Sequence, residues 1–399
     1  MWVSFKLKIA CIPSTMSDKI LLIHLWLPDI FEFKGGIQTY SALFLEALQS
    51  LYPKHKYHVF LKHDTCAKKY FTFLRDTQFH FAGTWPLALR TPIFAAQILG
   101  HGLWQRPNLI IATHLNFTMA AYWLKHLTGI PYWTVAHGVD AWNIERPALR
   151  TALKHADRII SVSSYTRDRL LQEQNLDPTK FSILPNTFDA SRFQIAPKPT
   201  YLLKRYELIA ENPIILTVAR LDNSEQYKGY DKIIQALPDI RRQIPNVRYI
   251  LVGKGSDRPR IEQLITQLKL QESVILAGFV PDKELGDHYN LCDVFAMPSK
   301  GEGFGIVYLE ALACGKPTIG GDRDGAIDAL CQGKLGALVN PDSMEEIATT
   351  IIQILQGKYP NPIMYKPEVL RQKVIETFGF ERFKQTLAEL IETAETGVK

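Results

Sequence analysis

Residues 299–317 read SKGEGFGIVYLEALACGKP and follow a short apolar run, Val294 to Met297. Gly301, Gly303 and Gly305 fall just before a stretch of helical composition. Glycines there let backbone N–H groups approach a phosphate or sugar oxygen at the positive end of a helix. Glu302 and Glu310 stand eight residues apart. If both were helical, they would be separated by about 12 Å along the axis. That is wider than the ~5–9.5 Å that separates the paired carboxylates of a glycosidase. Taken alone, such a string reads more plainly as a glycine-capped helix with two surface glutamates.

Outward from this stretch, apolar runs alternate with helical periodicity. Residues 19–24 (KILLIH) predict a strand, followed by a loop ending in Gly35-Gly36 and a helix over 37–51. Residues 108–112, 132–136 and 158–162 predict further strands, each preceded by helical material, the pattern of a parallel sheet. A break follows Pro185-Asn186, and Pro197, Pro199 and Pro213 mark 194–213 as an inter-domain linker. The alternation restarts with strands predicted over 214–219, 248–253, 274–277, 294–297 and 317–320. The fold class is therefore α/β, with two doubly wound halves facing across a cleft and a ligand beyond the strand C-termini.

Composition narrows the field. The chain has 399 residues, enough for two domains, and its 46% hydrophobic and 22% charged residues are ordinary for a globular protein. No run approaches the ~18–20 apolar residues of a membrane span. The opening MWVSFKLKIACIPSTM carries Lys6 and Lys8 within its apolar stretch and does not read as a signal peptide. Residues 1–18 find no place in the alternation and are expected to be disordered or to reflect an upstream start. Five cysteines without a C-x-x-C spacing suggest a reducing compartment, with neither disulfide framework nor zinc ribbon. His55, His58 and His63 lack further ligands in their neighbourhood, and no metal site is assigned to them. Up to residue 195 there are 21 Lys+Arg against 13 Asp+Glu; beyond it, 25 against 27. A basic front half suits an anionic partner or a merely solvated face.

The 299–317 string closely resembles the E-x7-E signature of the retaining glycosyltransferases of family 4, built on the GT-B fold of two Rossmann-like domains. The resemblance runs over about residues 19–395. Phe33-Lys34-Gly35-Gly36 looks like the family's glycine-rich turn near the donor diphosphate, and His137-Gly138 resembles its HG segment. Ser161 to Ser164, Ile183 to Asn186, Thr217 to Arg220, Lys228-Gly229, Leu251 to Gly255 and Ala277 to Pro281 complete the ordered set.

The resemblance implies a 19–195 acceptor-side domain, a 196–375 nucleotide-sugar domain, and a 376–399 helix packing back on the first. It implies that Arg220 and Lys228 bind the donor diphosphate, although Asp222 to Tyr227 lengthens the loop between them relative to many family members. Glu310 is expected on the ribose hydroxyls. Glu302 and the backbone of Gly303, Phe304, Gly305 and Ile306 are expected on the transferred sugar, with His137 at the reacting centre. Gly35, Gly36, Gly253, Phe279 and Val280 complete the donor contacts. No metal or other cofactor is implied, and Asp322-Arg323-Asp324 is discounted as a metal-binding D-x-D.

The expected activity is transfer of a hexosyl group from a nucleotide-diphosphate sugar to a saccharide or lipid-linked acceptor. A non-catalytic regulatory protein of the same fold is the alternative. A nicotinamide dehydrogenase lacks its G-x-G-x-x-G turn here, and no nucleic-acid motif accompanies the basic half. Basic and aromatic residues interleave over 54–75, and Trp85, Phe94 and Trp104 fall among aliphatics. They suggest a cytoplasmic protein docking reversibly on the inner membrane face.

Overall fold

The computed structural model describes residues 20–32, 35–67 and 77–396; the segment 1–18 and the basic-aromatic residues 68–75 lie outside them in whole. Two all-parallel sheets carry the architecture. The first contains β1 (Leu22–Leu27), β2 (Lys56–Leu61), β3 (Thr77–Phe81), β4 (Leu109–Ala112), β5 (Tyr132–Ala136), β6 (Arg158–Ser161) and β7 (Phe181–Ile183). Their spatial order is β3-β2-β1-β4-β5-β6-β7. The second contains β8 (Ile214–Val218), β9 (Arg248–Val252), β10 (Val274–Gly278), β11 (Val294–Met297), β12 (Thr318–Gly321) and β13 (Ala337–Val339), in the order β10-β9-β8-β11-β12-β13. In both sheets the strand order reverses beside the first strand, at β1/β4 and β8/β11. Loops leaving neighbouring strands on opposite sides there open a crevice at the strand C-termini.

Alternation along each strand fills both faces of the first sheet. Leu25, Leu27, Tyr57, Val59 and Leu61 join one apolar cluster, while Trp26, Phe60 and Ala82 join another beneath the helix Leu87–Gln105. Sheets buried on both sides are what parallel βαβ connections require. The first cluster continues through Phe188, Phe193 and the helix Phe380–Thr396 into the second half. That helix sets Phe383 edge-on against Tyr40 and Phe44, at ring separations of 5.7 and 6.3 Å.

Several local expectations differ from the structure. The first strand begins at Leu22 and runs to Leu27, so the loop to Gly35 is shorter than the sequence pattern suggests. Residues 194–213 are not an open linker: a helix, Thr200–Arg205, buries Leu202 and Leu203. The basic-aromatic stretch contributes β2 to the interior of the sheet. Tyr57 and Phe60 are therefore core residues, as is Phe94, and they are not available to a membrane.

Candidate functional site

Residues from both halves meet at the strand C-termini. After β1, the Asp64 carboxylate accepts N–H bonds from Ile30, Phe31 and Glu32 at 2.7–3.2 Å, which folds the loop leading to Gly35. Gly35 and Gly36 open the helix Gly36–Leu51. They face the other half closely: a Cβ on Gly35 would lie 3.8 Å from Arg220 Nη2, and one on Gly36 would lie 3.9 Å from Ile306 Cδ1.

The loop after β5 supplies His137. Its Nε2–H donates to the Thr113 carbonyl at 2.7 Å, so that nitrogen carries the proton. Tyr40 packs edge-on to the ring at 5.0 Å. Burial lowers the imidazole to about 3, keeping it neutral. Asp140 accepts the His137 backbone N–H at 3.0 Å, and burial raises its carboxyl to about 7. Gly138 touches the second half directly. It adopts φ +127°, and a Cβ there would lie 2.5 Å from Gly303 Cα. A Cβ on Gly303 would in turn meet the His137 carbonyl at 1.7 Å. Only glycine fits on either side of this contact.

From the second half, Arg220 follows β8 and stays 63% exposed, 3.1 Å from Glu225. Lys228 is mostly buried, 2.7 Å from Glu302 and 3.4 Å from Glu225. Burial alone would lower its ammonium, but the two carboxylates and the Tyr227 phenol outweigh that and hold it above the ordinary lysine range. The longer loop thus keeps Arg220 and Lys228 together, with Glu225 bridging them.

Glu302 is not helical. The helix starts at Ile306 with Gly305 as its N-cap at φ +89°, so Glu302 sits in the glycine loop and Glu310 alone lies on the helix. Asp324 braces this loop: its carboxylate accepts from Ser299 Oγ at 2.6 Å, Glu302 N–H at 2.7 Å and Ala326 N–H at 2.9 Å. The D-x-D residues are therefore divided, with Asp324 buried and engaged and Asp322 at the surface. Glu310 accepts a hydrogen bond from the Tyr289 hydroxyl at 2.7 Å, and burial pushes its carboxyl up to about 7. Phe304 is buried, its ring packed edge-on against Phe378 at 5.4 Å. Gly253 lies under Ala219, whose carbonyl would be 1.8 Å from an added Cβ. Phe279 is 66% exposed beneath the Lys254 ammonium, while Val280 is buried. Sequence reasoning did not single out Glu225, Asp140 or Tyr289, and took Asp324 only as part of a discounted D-x-D. Asp140 and Glu225 each meet a partner three positions away, His137 and Lys228, whereas Tyr289 meets Glu310, and Asp324 meets Ser299 and Glu302, only through the tertiary fold.

Residues 34–192 match the family model described as Glycosyltransferase Family 4, and residues 203–372 match that of Glycosyl transferases group 1. A GDP-mannose-dependent alpha-(1-6)-phosphatidylinositol monomannoside mannosyltransferase of Mycolicibacterium smegmatis is 32% identical over 230 residues, 55% of this chain and 59% of that protein. Mannosylfructose-phosphate synthase of Agrobacterium fabrum is 26% identical over 208 residues, 50% of this chain and 45% of its own length. The chain thus spans about half the length of these curated relatives. Among solved structures, Anabaena HepE in complex with UDP-glucose superposes with a TM-score of 0.75 at 20% identity, covering 94% of this chain and 100% of that one. Sucrose-phosphate synthase from Thermosynechococcus elongatus gives 0.78 at 21% identity, with coverage of 94% and 100%. Two adjoining family matches, two doubly wound sheets and the E-x7-E loop at their shared cleft have one explanation: the chain belongs to the group 1, family 4 glycosyltransferases and has the GT-B fold.

Proposed function

We propose that the chain transfers a hexosyl group from a nucleotide-diphosphate sugar to a saccharide or lipid-linked acceptor with retained anomeric configuration, in polysaccharide or glycolipid synthesis. The observation that carries this reading is the convergence of the Arg220–Lys228 pair and Glu302 opposite Gly35-Gly36. A leaving diphosphate gains negative charge as its bond to the sugar loosens, and two fixed cations in a narrow cleft stabilise that charge. The acceptor oxygen then bonds the anomeric carbon on the same face, and its proton passes to the departing phosphate oxygen. No protein carboxylate acts as the base in this scheme.

In this reading Glu310 accepts from the ribose hydroxyls and the Gly278–Val280 backbone meets the base. Glu302, with the N–H groups of Gly303 to Ile306, holds the sugar beside His137. The chemistry requires no metal, since the cations and the helix N-terminus supply the positive charge. Transfer should therefore survive a chelator, and strict dependence on Mn²⁺ would overturn that part of the proposal. The mannosyltransferase relatives make GDP-mannose the first donor to try, followed by UDP-glucose. Saturation-transfer NMR against nucleotide sugars would identify the donor, and the one-bond C1–H1 coupling of the product would report its anomeric configuration. Donor binding without turnover on any saccharide or lipid acceptor would favour the non-catalytic alternative.

The acceptor reading extends to reversible docking on an anionic cytoplasmic leaflet. Among the described residues no helix is long and apolar enough to cross a membrane. Exposed apolar side chains gather on the basic half instead: Trp85 and Leu87 at the start of helix 87–105, Trp104 at its end, and Trp123 and Leu127 on the helix Thr118–Thr128. Aromatic rings of this kind settle at headgroup depth, and nearby basic residues add attraction to anionic lipid. Co-sedimentation with vesicles of graded anionic content is expected to fall as salt rises. Absence of binding even on strongly anionic vesicles at low salt would leave a soluble acceptor as the better reading.

A further inference from the structure

Three adjacent strands of the first sheet each place a histidine two positions before an apolar core residue. These are His24 before Trp26 on β1, His58 before Phe60 on β2, and His80 before Ala82 at the end of β3. The parallel register puts His24 beside His58, and His80 beside Phe60. His101, on helix 87–105, closes over the row, its ring centroid 4.4 Å from that of His80. Four imidazoles thus meet between the sheet and one helix. The set differs from the His55, His58 and His63 grouping weighed in the sequence. His55 stacks on Tyr52 instead, and only His58 belongs here.

Hydrogen bonding within this cluster is incomplete. Nε2–H of His24 donates to Gln105 Oε1 at 2.8 Å, leaving its Nδ1 as a bare lone pair. Among the described residues, that buried Nδ1 and the buried Nδ1 of His101 have no hydrogen-bond partner. His24 is fully buried, where an unsatisfied polar atom costs about 1–3 kcal/mol. His58 Nδ1 and His80 Nε2 share a hydrogen bond at 3.2 Å, which a bound ion would replace with two coordinate bonds. One ring nitrogen from each of His58, His80 and His101 lies within 4.8 Å of the other two. A tetrahedral ion bound at ~2.0–2.1 Å separates its ligands by about 3.3–3.4 Å. The 3.2 Å pair is already near that spacing, and an ion would draw in the third nitrogen, of His101, from within 4.8 Å. Phe60 stacks flat on His80 at 4.4 Å and holds its plane.

We propose that His58, His80 and His101 form a three-histidine site for a late first-row divalent ion, with Zn²⁺ as the reference, tying β2 and β3 to the helix above them. Imidazole sets of this kind select Zn²⁺ and its neighbours over Mg²⁺ or Ca²⁺, which prefer oxygen. The site is structural and takes no part in sugar transfer.

Zn²⁺ should be titrated into the full chain, purified without a histidine tag, in competition with a chromophoric chelator. Tight binding of a single equivalent is expected, with a rise in melting temperature, because only the native state assembles the three rings. His58→Gln, His80→Gln and His101→Gln should each weaken binding at least ~10–100-fold, the loss that even an outer-sphere partner causes. His126→Gln should leave binding unchanged. A second measurement avoids substitution: in protein labelled with ¹⁵N-histidine, Zn²⁺ should shift ring nitrogens of these three residues while Mg²⁺ shifts none. Absence of stoichiometric binding, binding indifferent to all three substitutions, or shifts confined to other histidines would each overturn the proposal.

Discussion

Glu225 lies 3.1 Å from Arg220 and 3.4 Å from Lys228, so in the free protein a carboxylate occupies the place between the two cations where the proposed diphosphate would bind. Binding must then exchange one anion for another. Glu225→Gln keeps the shape and removes the competing charge. Calorimetry with GDP or UDP should find the variant binding about two- to tenfold more tightly, the scale of a partly exposed ion pair. Weaker binding would mean that Glu225 chiefly positions the cations.

Glu310 gives a pH dependence of definite sign. Its carboxyl, raised by burial to about 7, keeps its proton in the folded protein over a range where the unfolded chain has released it. That contribution to stability is fully present below the ordinary glutamate pKa and is lost as pH rises through about 7. Donor binding runs the opposite way. Accepting ribose hydroxyls requires the carboxylate, so donor affinity should weaken as pH falls below about 7, approaching tenfold per pH unit. Glu310→Gln should flatten the profile, and a wild-type affinity independent of pH in this range would contradict the ribose assignment.

Among the elements, the E-x7-E segment shows what the sequence could and could not convey. The strand, glycine turn and helix over 294–313 were legible, because periodicity and glycine placement are local. That Gly303 of this loop packs against Gly138 from the other half was not, because no local pattern encodes the contact. Gly138→Ala should therefore force the halves apart and abolish transfer, even though Gly138 is distant in sequence from the signature. β2 was missed for a related reason: Lys56, His58 and the aromatics mimic a surface stretch until neighbouring strands bury them. β7 and β13 have three residues each, too few for periodicity to register. At helix 380–396, Phe383 is almost fully buried between Tyr40 and Phe44. Phe383→Ala should lower unfolding stability by about 3–5 kcal/mol, measured by denaturant titration.

Over the whole molecule, the chain crosses between the two sheets after β7, and Arg371 secures that crossing. Its guanidinium donates to the carbonyls of Phe193, of Ala313 at 2.6 Å and of Ala190 at 2.9 Å. Further contacts join the halves beside the cleft: the Tyr165 N–H donates to Asp328 at 3.1 Å, and Thr166 Oγ1 to the Gly303 carbonyl at 3.4 Å. The two-sheet plan was readable from the interrupted strand–helix alternation, whereas these contacts, from residues 58 to 181 positions apart, were not. The central claim, that this cleft transfers a sugar by stabilising a departing nucleoside diphosphate, is tested most directly by steady-state release of that diphosphate. The rate should be compared for the wild type, Arg220→Ala and Glu310→Gln, with melting temperature followed in parallel. The account predicts a fall of at least ~10²-fold in each variant at near-native melting temperature, the scale for losing one preorganised charged contact. Wild-type rates in both variants would contradict it.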